Sequence, residues 1–304
     1  MLLTTPATPL TLTRTTAGFF MSSYIDHEQS LPCTLHGQLD LLKKKGLVIS
    51  NPDRVIHYLR FIAYFRLAGY FQPFLLPSGR FKENTSFDQV LHRYIFDRQL
   101  RLLVMDAVER IEVAIRTTIS STLIEQHGEH WYKDANLFVQ KYDHQVLIKI
   151  IKKAVPFNNS LSQPIWIIVE ELPVGVWSII FKHLKSRDTQ KKISNNYGLH
   201  YSVMESWLHS FAFLRNLCAH HSRLWNRTFT IQPKVPAIYK KQFGVASSFC
   251  AQAAVLNLFL SVIADGSSWQ RRLRDLIQNN KEIPISAMGF SADWDADLFW
   301  RINR

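Results

Sequence analysis

Apolar residues recur at three- and four-residue steps along most of this chain, the period of helices that bury one side. The longest such run starts at Ser86. Phe87, Leu91, Tyr94, Ile95, Leu102, Leu103, Ala107, Ile111, Ala114, Ile115 and Ile119 keep helical spacing for roughly nine turns, and Gly128 supplies a stop. Apolar positions over so wide an arc predict a central pillar for other helices. Upstream, Leu35 to Lys45 reads as a short amphipathic helix ended by Gly46. Asn51-Pro52-Asp53 marks the next start, because Asn51 or Asp53 can cap and proline is tolerated in a first turn. That helix is expected to run through Val55, Tyr58, Leu59, Ile62 and Phe65, with a break from Gly69 to Arg80.

Downstream, Tyr142 to Val155 predicts a basic amphipathic helix closed by Pro156. Pro164 to Leu184 is nearly all apolar with Pro173 inside it, so two short helices or one kinked helix are expected. A further helix is predicted from Ser202 to about Leu224, and another from Phe249 to Ala264. Thr228 to Pro236 reads as a loop with at most a strand, and Arg271 to Gln278 as a charged helix. The fold class is all-α, a bundle with a long central helix and a helical C-terminal appendage. The expected organisation is a disordered extension (1–24), a helical domain (25–266) and a C-terminal helical tail (267–304).

Charge narrows the partners. Lys plus Arg number 36 against 24 Asp plus Glu, a net charge of +12 that attracts polyanions. Nucleic acid is the first expectation and an anionic membrane surface the second. No run approaches the ~18 apolar residues of a spanning helix, so no membrane partner is expected. The nearest, Ala251 to Ala264, is broken by Gln252, Asn257 and Ser261. Cys33, Cys218 and Cys250 are far apart and form no C-x-x-C pair. Neither a zinc ribbon nor a disulfide framework is indicated, and a reducing cytoplasm fits best.

Candidate chemistry concentrates between Phe211 and Arg227. Positions 203, 207, 211, 214, 218 and 225 form an apolar stripe, and Asn216, His220 and Arg223 share one face at i, i+4 and i+7. Arg215 and His220 are five residues apart, which on a regular helix turns them away from each other. The long arm of Arg215, a local distortion or a second subunit is needed to bring both to one phosphate. His221 falls near the stripe and is expected to be structural. Glu112 and Arg116, spaced i, i+4, predict an ion pair, with RNA contact by Arg116 as the functional alternative. Asp97, Arg98 and Arg101 are expected to be structural. Lys149, Lys152 and Lys153, and the run from Lys182 to Lys192, are candidate phosphate contacts or solvated surface. Cys218, His220 and His221 lack a second ligand cluster, so no metal is expected.

The Arg-x4-His spacing with Asn after the arginine, Arg215-Asn216-Leu217-Cys218-Ala219-His220, resembles the HEPN ribonuclease signature. The longer string to Arg227 resembles the Abi-like family of bacterial abortive-infection proteins. So do Tyr64 to Tyr70, Tyr94 to Arg101 and Ile111 to Arg116, and the resemblance runs from about Leu41 to Arg227. It implies a HEPN-like helical bundle, a homodimer around the motif helices, phage defence, association with structured small non-coding RNA and metal-independent RNA cleavage without a cofactor.

Residue chemistry fits that implication. RNA carries a 2′-hydroxyl beside each phosphate, a built-in nucleophile. An imidazole titrates near neutrality and serves as base or acid, here His220. Arg215 offers fixed donors to phosphate oxygens, and Asn216 can orient His220 or hold the phosphate. Products with 2′,3′-cyclic phosphate ends follow. Arg116, Arg223, Arg227, Lys152 and Lys153 are the expected RNA-binding set around these three catalytic candidates, with packing beside Leu224-Trp225 and a solvated charge as the alternative for Arg223 and Arg227. The competing readings are an RNA-binding protein that does not cut, and a toxin acting on a protein. An isolated monomer with Arg215 drawn into an ion pair would favour binding without cleavage.

Overall fold

The computed structural model describes residues 32–154 and 162–301. Among the described residues there are twelve α-helices, joined by loops and short 3-10 turns, and no strand. The chain is all-α, as its periodicity predicts. The expected N-terminal extension lies outside the described residues. The chain divides into two compact units, one ending at Tyr94 and the other beginning at Ile95.

In the first unit, α1 (Leu35–Lys44) starts where the Thr34 hydroxyl accepts the Gly37 amide at 3.1 Å. Asn51 caps α2 (Pro52–Ile62) by accepting the Arg54 amide at 3.0 Å. This helix does not run on through Phe65. It breaks at Ala63, whose φ of 69° and ψ of 146° leave the helical region, and α3 (Tyr64–Phe71) restarts. The restart turns Leu67, Tyr70 and Phe71 into the core and leaves Phe65 outside, an arrangement one continuous helix would not produce.

α4 (Phe87–His127) starts in the first unit and runs on into the second. Its start is a capping box: the Ser86 amide donates to Gln89 Oε1 at 2.9 Å, and the Gln89 amide to Ser86 Oγ at 3.2 Å. Gly128 ends it at φ 78°, where a residue without Cβ is unstrained. The buried arc in the second unit includes Phe96, Leu100, Leu103, Val104, Ala107, Val108, Ile111, Ile115 and Ile119. Leu102 and Ile95, counted in the periodic set, fall off that arc and are exposed.

The second unit continues with α5 (His144–Ala154), whose predicted end at Val155 and Pro156 lies outside the described residues. The apolar run splits as its proline predicts, into α6 (Ile165–Ile168), a 3-10 turn over Val169–Glu171, and α7 (Val174–His183). Then follow α8 (Arg187–Asn195), α9 (Tyr201–Ala219), α10 (Lys240–Phe243), α11 (Phe249–Ile263) and α12 (Trp269–Gln278). α9 packs against α7, α8 and α11. The Trp207 ring stacks on Phe243 at 5.8 Å and meets Phe259 edge-on at 5.7 Å. Burial of each such ring stabilises the fold by about 1.5–3 kcal/mol. Trp269 ties α12 to the pillar, its indole N–H donating to the Leu103 carbonyl at 2.9 Å. Thr228 to Pro236 is loop throughout. Among the described residues no helix is long and apolar enough to cross a membrane.

Candidate functional site

The motif helix α9 ends at Ala219, five residues before the expected end at Leu224. His220 is its C-cap, and His221 takes a left-handed φ of 55°. The Ser222 amide donates back to the Leu217 carbonyl at 2.8 Å, and the His221 amide to the Cys218 carbonyl at 2.9 Å. This pair of reversed bonds is a Schellman ending, with a histidine where glycine is usual. Two expectations are corrected. Arg223 lies past the helix and does not share its face with Asn216 and His220. His221 is exposed rather than near the core, and its backbone closes the turn. Asn216 and His220 stay one turn apart, with the His220 amide on the Asn216 carbonyl at 3.0 Å.

The loop after α9 is anchored on the pillar. Asp97 is fully buried, and its Oδ1 accepts the amides of Leu224 at 3.0 Å and Trp225 at 2.7 Å. Its Oδ2 pairs with Arg101, which also lies 3.5 Å from the Ser222 carbonyl oxygen. Asp97 and Arg101 are therefore structural, as expected. Trp225 reaches the core through this turn and not through a continued helix. Cys218 beneath it has its thiol pushed up to about 12, by burial first and by the Asp97 charge second. Such a thiol stays protonated at neutral pH and is neither a nucleophile nor a ready metal ligand. Among the described residues no three His, Cys, Asp or Glu side chains converge as a metal site would require.

Arg215 sits on the last turns of α9 and is about one-third exposed, at 31%. Its Nη1 donates to Asn216 Oδ1 at 3.3 Å, and its Nε lies 3.5 Å from Glu112 Oε2. The other Glu112 oxygen pairs with Arg116, whose Nη1 meets Glu170 Oε2 at 2.9 Å. Arg116 is thus the ion-paired residue its spacing predicts, held between two carboxylates and 12% exposed. None of the described contacts joins Arg215 to His220. Pairing of Arg215 with Glu112 was invisible along the chain, because the two are about a hundred residues apart and only folding brings them together.

The Arg227 guanidinium donates to the Arg223 carbonyl at 3.1 Å. Its pKa is lowered by burial, then by the Arg223 charge, against an opposing pull from Asp97. Two cations therefore crowd the loop just past His220. Their sign matters, because the carbonyl end of a helix repels anions and a phosphate there needs compensating charge. Lys152 and Lys153 are exposed on the last turn of α5, and none of the described contacts joins them to this group. α5 is tied to the chain just past α4, with His144 Nε2 2.8 Å from the Tyr132 carbonyl oxygen. The motif loop is tied to Asp97, and thirty residues of α4 rise by about 45 Å between Asp97 and His127. Lys191 and Lys192 pair with Asp188 and Glu125 at the surface.

The sequence profile of the Abi-like protein family matches residues 57–226, more than half the chain. The chain belongs to the Abi-like family. The match runs from within α2 to the loop after α9, so it contains Arg116, Lys152, Lys153, Arg215, Asn216, His220 and Arg223 and stops one residue short of Arg227. α11 and α12 lie beyond it. Membership suggests abortive-infection phage defence as the biological setting. No curated protein and no solved structure matches the chain.

Proposed function

We propose that this Abi-like protein is a HEPN-type protein that acts on RNA in the cytoplasm, as a metal-independent endoribonuclease leaving 2′,3′-cyclic phosphate ends. The observation that carries this reading is the end of α9. It presents His220 to solvent one turn beyond Asn216, with Arg215 bonded to the Asn216 side chain and Arg223 and Arg227 beyond it. In this reading His220 moves the proton, Asn216 holds the imidazole or the phosphate, and Arg215 neutralises charge building on the phosphorus. One imidazole per chain serves poorly as both base and acid. A homodimer that sets two α9 ends together supplies the pair and meets the separation between Arg215 and His220.

A second reading rests on a specific observation, the Arg215–Glu112 ion pair. It favours binding of a structured small RNA without cleavage. We place cleavage first because the contact is long, and a third of the Arg215 side chain remains exposed to receive a phosphate.

Labelled RNA incubated in EDTA with the protein and its His220→Ala variant separates the two. Cleavage with cyclic phosphate ends that vanishes in the variant is the expected result. Equal cutting by both proteins overturns the enzyme reading, and tight binding with no cutting establishes the second one. Binding that weakens steeply with salt is expected for either, since counterion release accompanies phosphate contact.

A further inference from the structure

We propose that Glu112 is a positioning residue, which holds Arg215 in the orientation that serves the scissile phosphate. The proposal rests on the endoribonuclease reading and assigns a role to a residue outside the Arg-x4-His string. Charges alternate along one line here: Glu170, Arg116, Glu112, Arg215. Glu112 stands between two arginines with its side chain 9% exposed, each oxygen facing a different guanidinium. A carboxylate removed from water stays charged only with such partners. Its two partners are nevertheless unequal. Arg116 has a second carboxylate, Glu170, and does not depend on Glu112 alone. Arg215 has no other carboxylate among its described contacts; its second partner is the neutral amide of Asn216.

The atoms engaged show what the contact leaves free. A guanidinium carries five N–H donors in a fixed plane. Glu112 faces Nε, and Asn216 takes one hydrogen of Nη1. The remaining Nη1 hydrogen and both on Nη2 are left for the two-point grip that arginine makes on phosphate. A separation of 3.5 Å exceeds ordinary hydrogen-bond length, so the carboxylate steers the guanidinium by charge and leaves it able to shift toward an anion. The ion pair that engages Arg215 is what aims it.

The test is a set of substitutions assayed for RNA cleavage at saturating RNA and, separately, for RNA affinity. Glu112→Gln keeps the shape and removes the charge. Cleavage is expected to fall about 10- to 100-fold, the scale of losing an oriented charge-stabilising group. RNA affinity is expected to hold or tighten, because one negative charge has left the neighbourhood of the phosphate. Glu170→Gln touches Arg116 and not Arg215, and is expected to leave both readouts within about twofold of wild type. That split distinguishes positioning from a purely structural role, which would lower both readouts together or respond equally to Glu170→Gln. Cleavage by Glu112→Gln within about twofold of wild type overturns the proposal. A parallel loss of affinity overturns it too. If Glu112→Gln does not fold, Glu112→Asp keeps the charge and withdraws it by one methylene. Slower cleavage at unchanged affinity then supports the assignment, and unchanged cleavage overturns it. A wild-type protein that binds RNA without cutting it removes the endoribonuclease reading and this assignment with it. That outcome is distinct from a wild type that cuts while Glu112→Gln cuts equally well.

Discussion

Of the acid–arginine pairs at i, i+4 spacing along α4, the fold puts two to different uses, Asp97 with Arg101 and Glu112 with Arg116. Asp97 turns its second oxygen to backbone, taking the amides of Leu224 and Trp225 and building the loop beyond the motif helix. Glu112 turns its second oxygen to Arg215, a side chain of the motif itself. The first pair is sealed, with both side chains at 7% exposure or less. The second opens to solvent through Arg215. A pair whose third partner is backbone makes structure, and a pair whose third partner is an exposed cation can tune chemistry.

The sharpest way to break this contrast is Asp97→Ala. It removes the carboxylate that pairs with Arg101 and accepts two buried amides, and is expected to cost about 3–5 kcal/mol of stability, read by urea unfolding. A loss below about 1 kcal/mol would show that Asp97 does not anchor the loop. Next in size is Arg215→Ala. Here stability should change by less than about 1 kcal/mol, since the ion pair is long and partly exposed. RNA cleavage should fall by about 100-fold or more. Comparable stability losses in the two variants would erase the distinction between the regions.

A third prediction concerns pH. Cys218, beside Asp97, and Cys250 on α11 both have thiols raised to about 12 from an ordinary 9.0, each chiefly through burial. Their folded values lie above their unfolded ones. The stability they contribute is therefore full below pH 9.0 and is lost as pH climbs through about 12. Urea midpoints should stay level up to that lower limit and then decline, and Cys218→Ala should flatten the decline. The smallest effect is expected at His221. Glycine there relieves a left-handed φ of 55° and should stabilise by about 1 kcal/mol. Unchanged cleavage by His221→Gly would confirm that its backbone, and not its imidazole, serves the site.

Much of the fold is legible along the chain because helices announce themselves locally. The capping box at Ser86 and Gln89, the cap at Asn51, the stop at Gly128 and the split at Pro173 each act within a few residues. What misled was also local. The apolar spacing of Trp225 with Cys218 suggested a longer α9, but a buried carboxylate on another helix draws Trp225 inward through a turn. Nor does any glycine mark the Schellman ending, so His221 gives no sign of it.

For the site, sequence alone determined which residue types are at hand: Arg215, Asn216 and His220 in the Abi-like pattern, and the Glu112–Arg116 pair on the pillar. Tertiary structure decided their company. It stopped α9 at Ala219, moved Arg223 off the helix, closed Arg116 between Glu112 and Glu170, and set Glu112 against Arg215. The reason is physical. Helical period and capping depend on neighbours a turn away, whereas the pairing of buried charges depends on which distant segments share the same water-poor space.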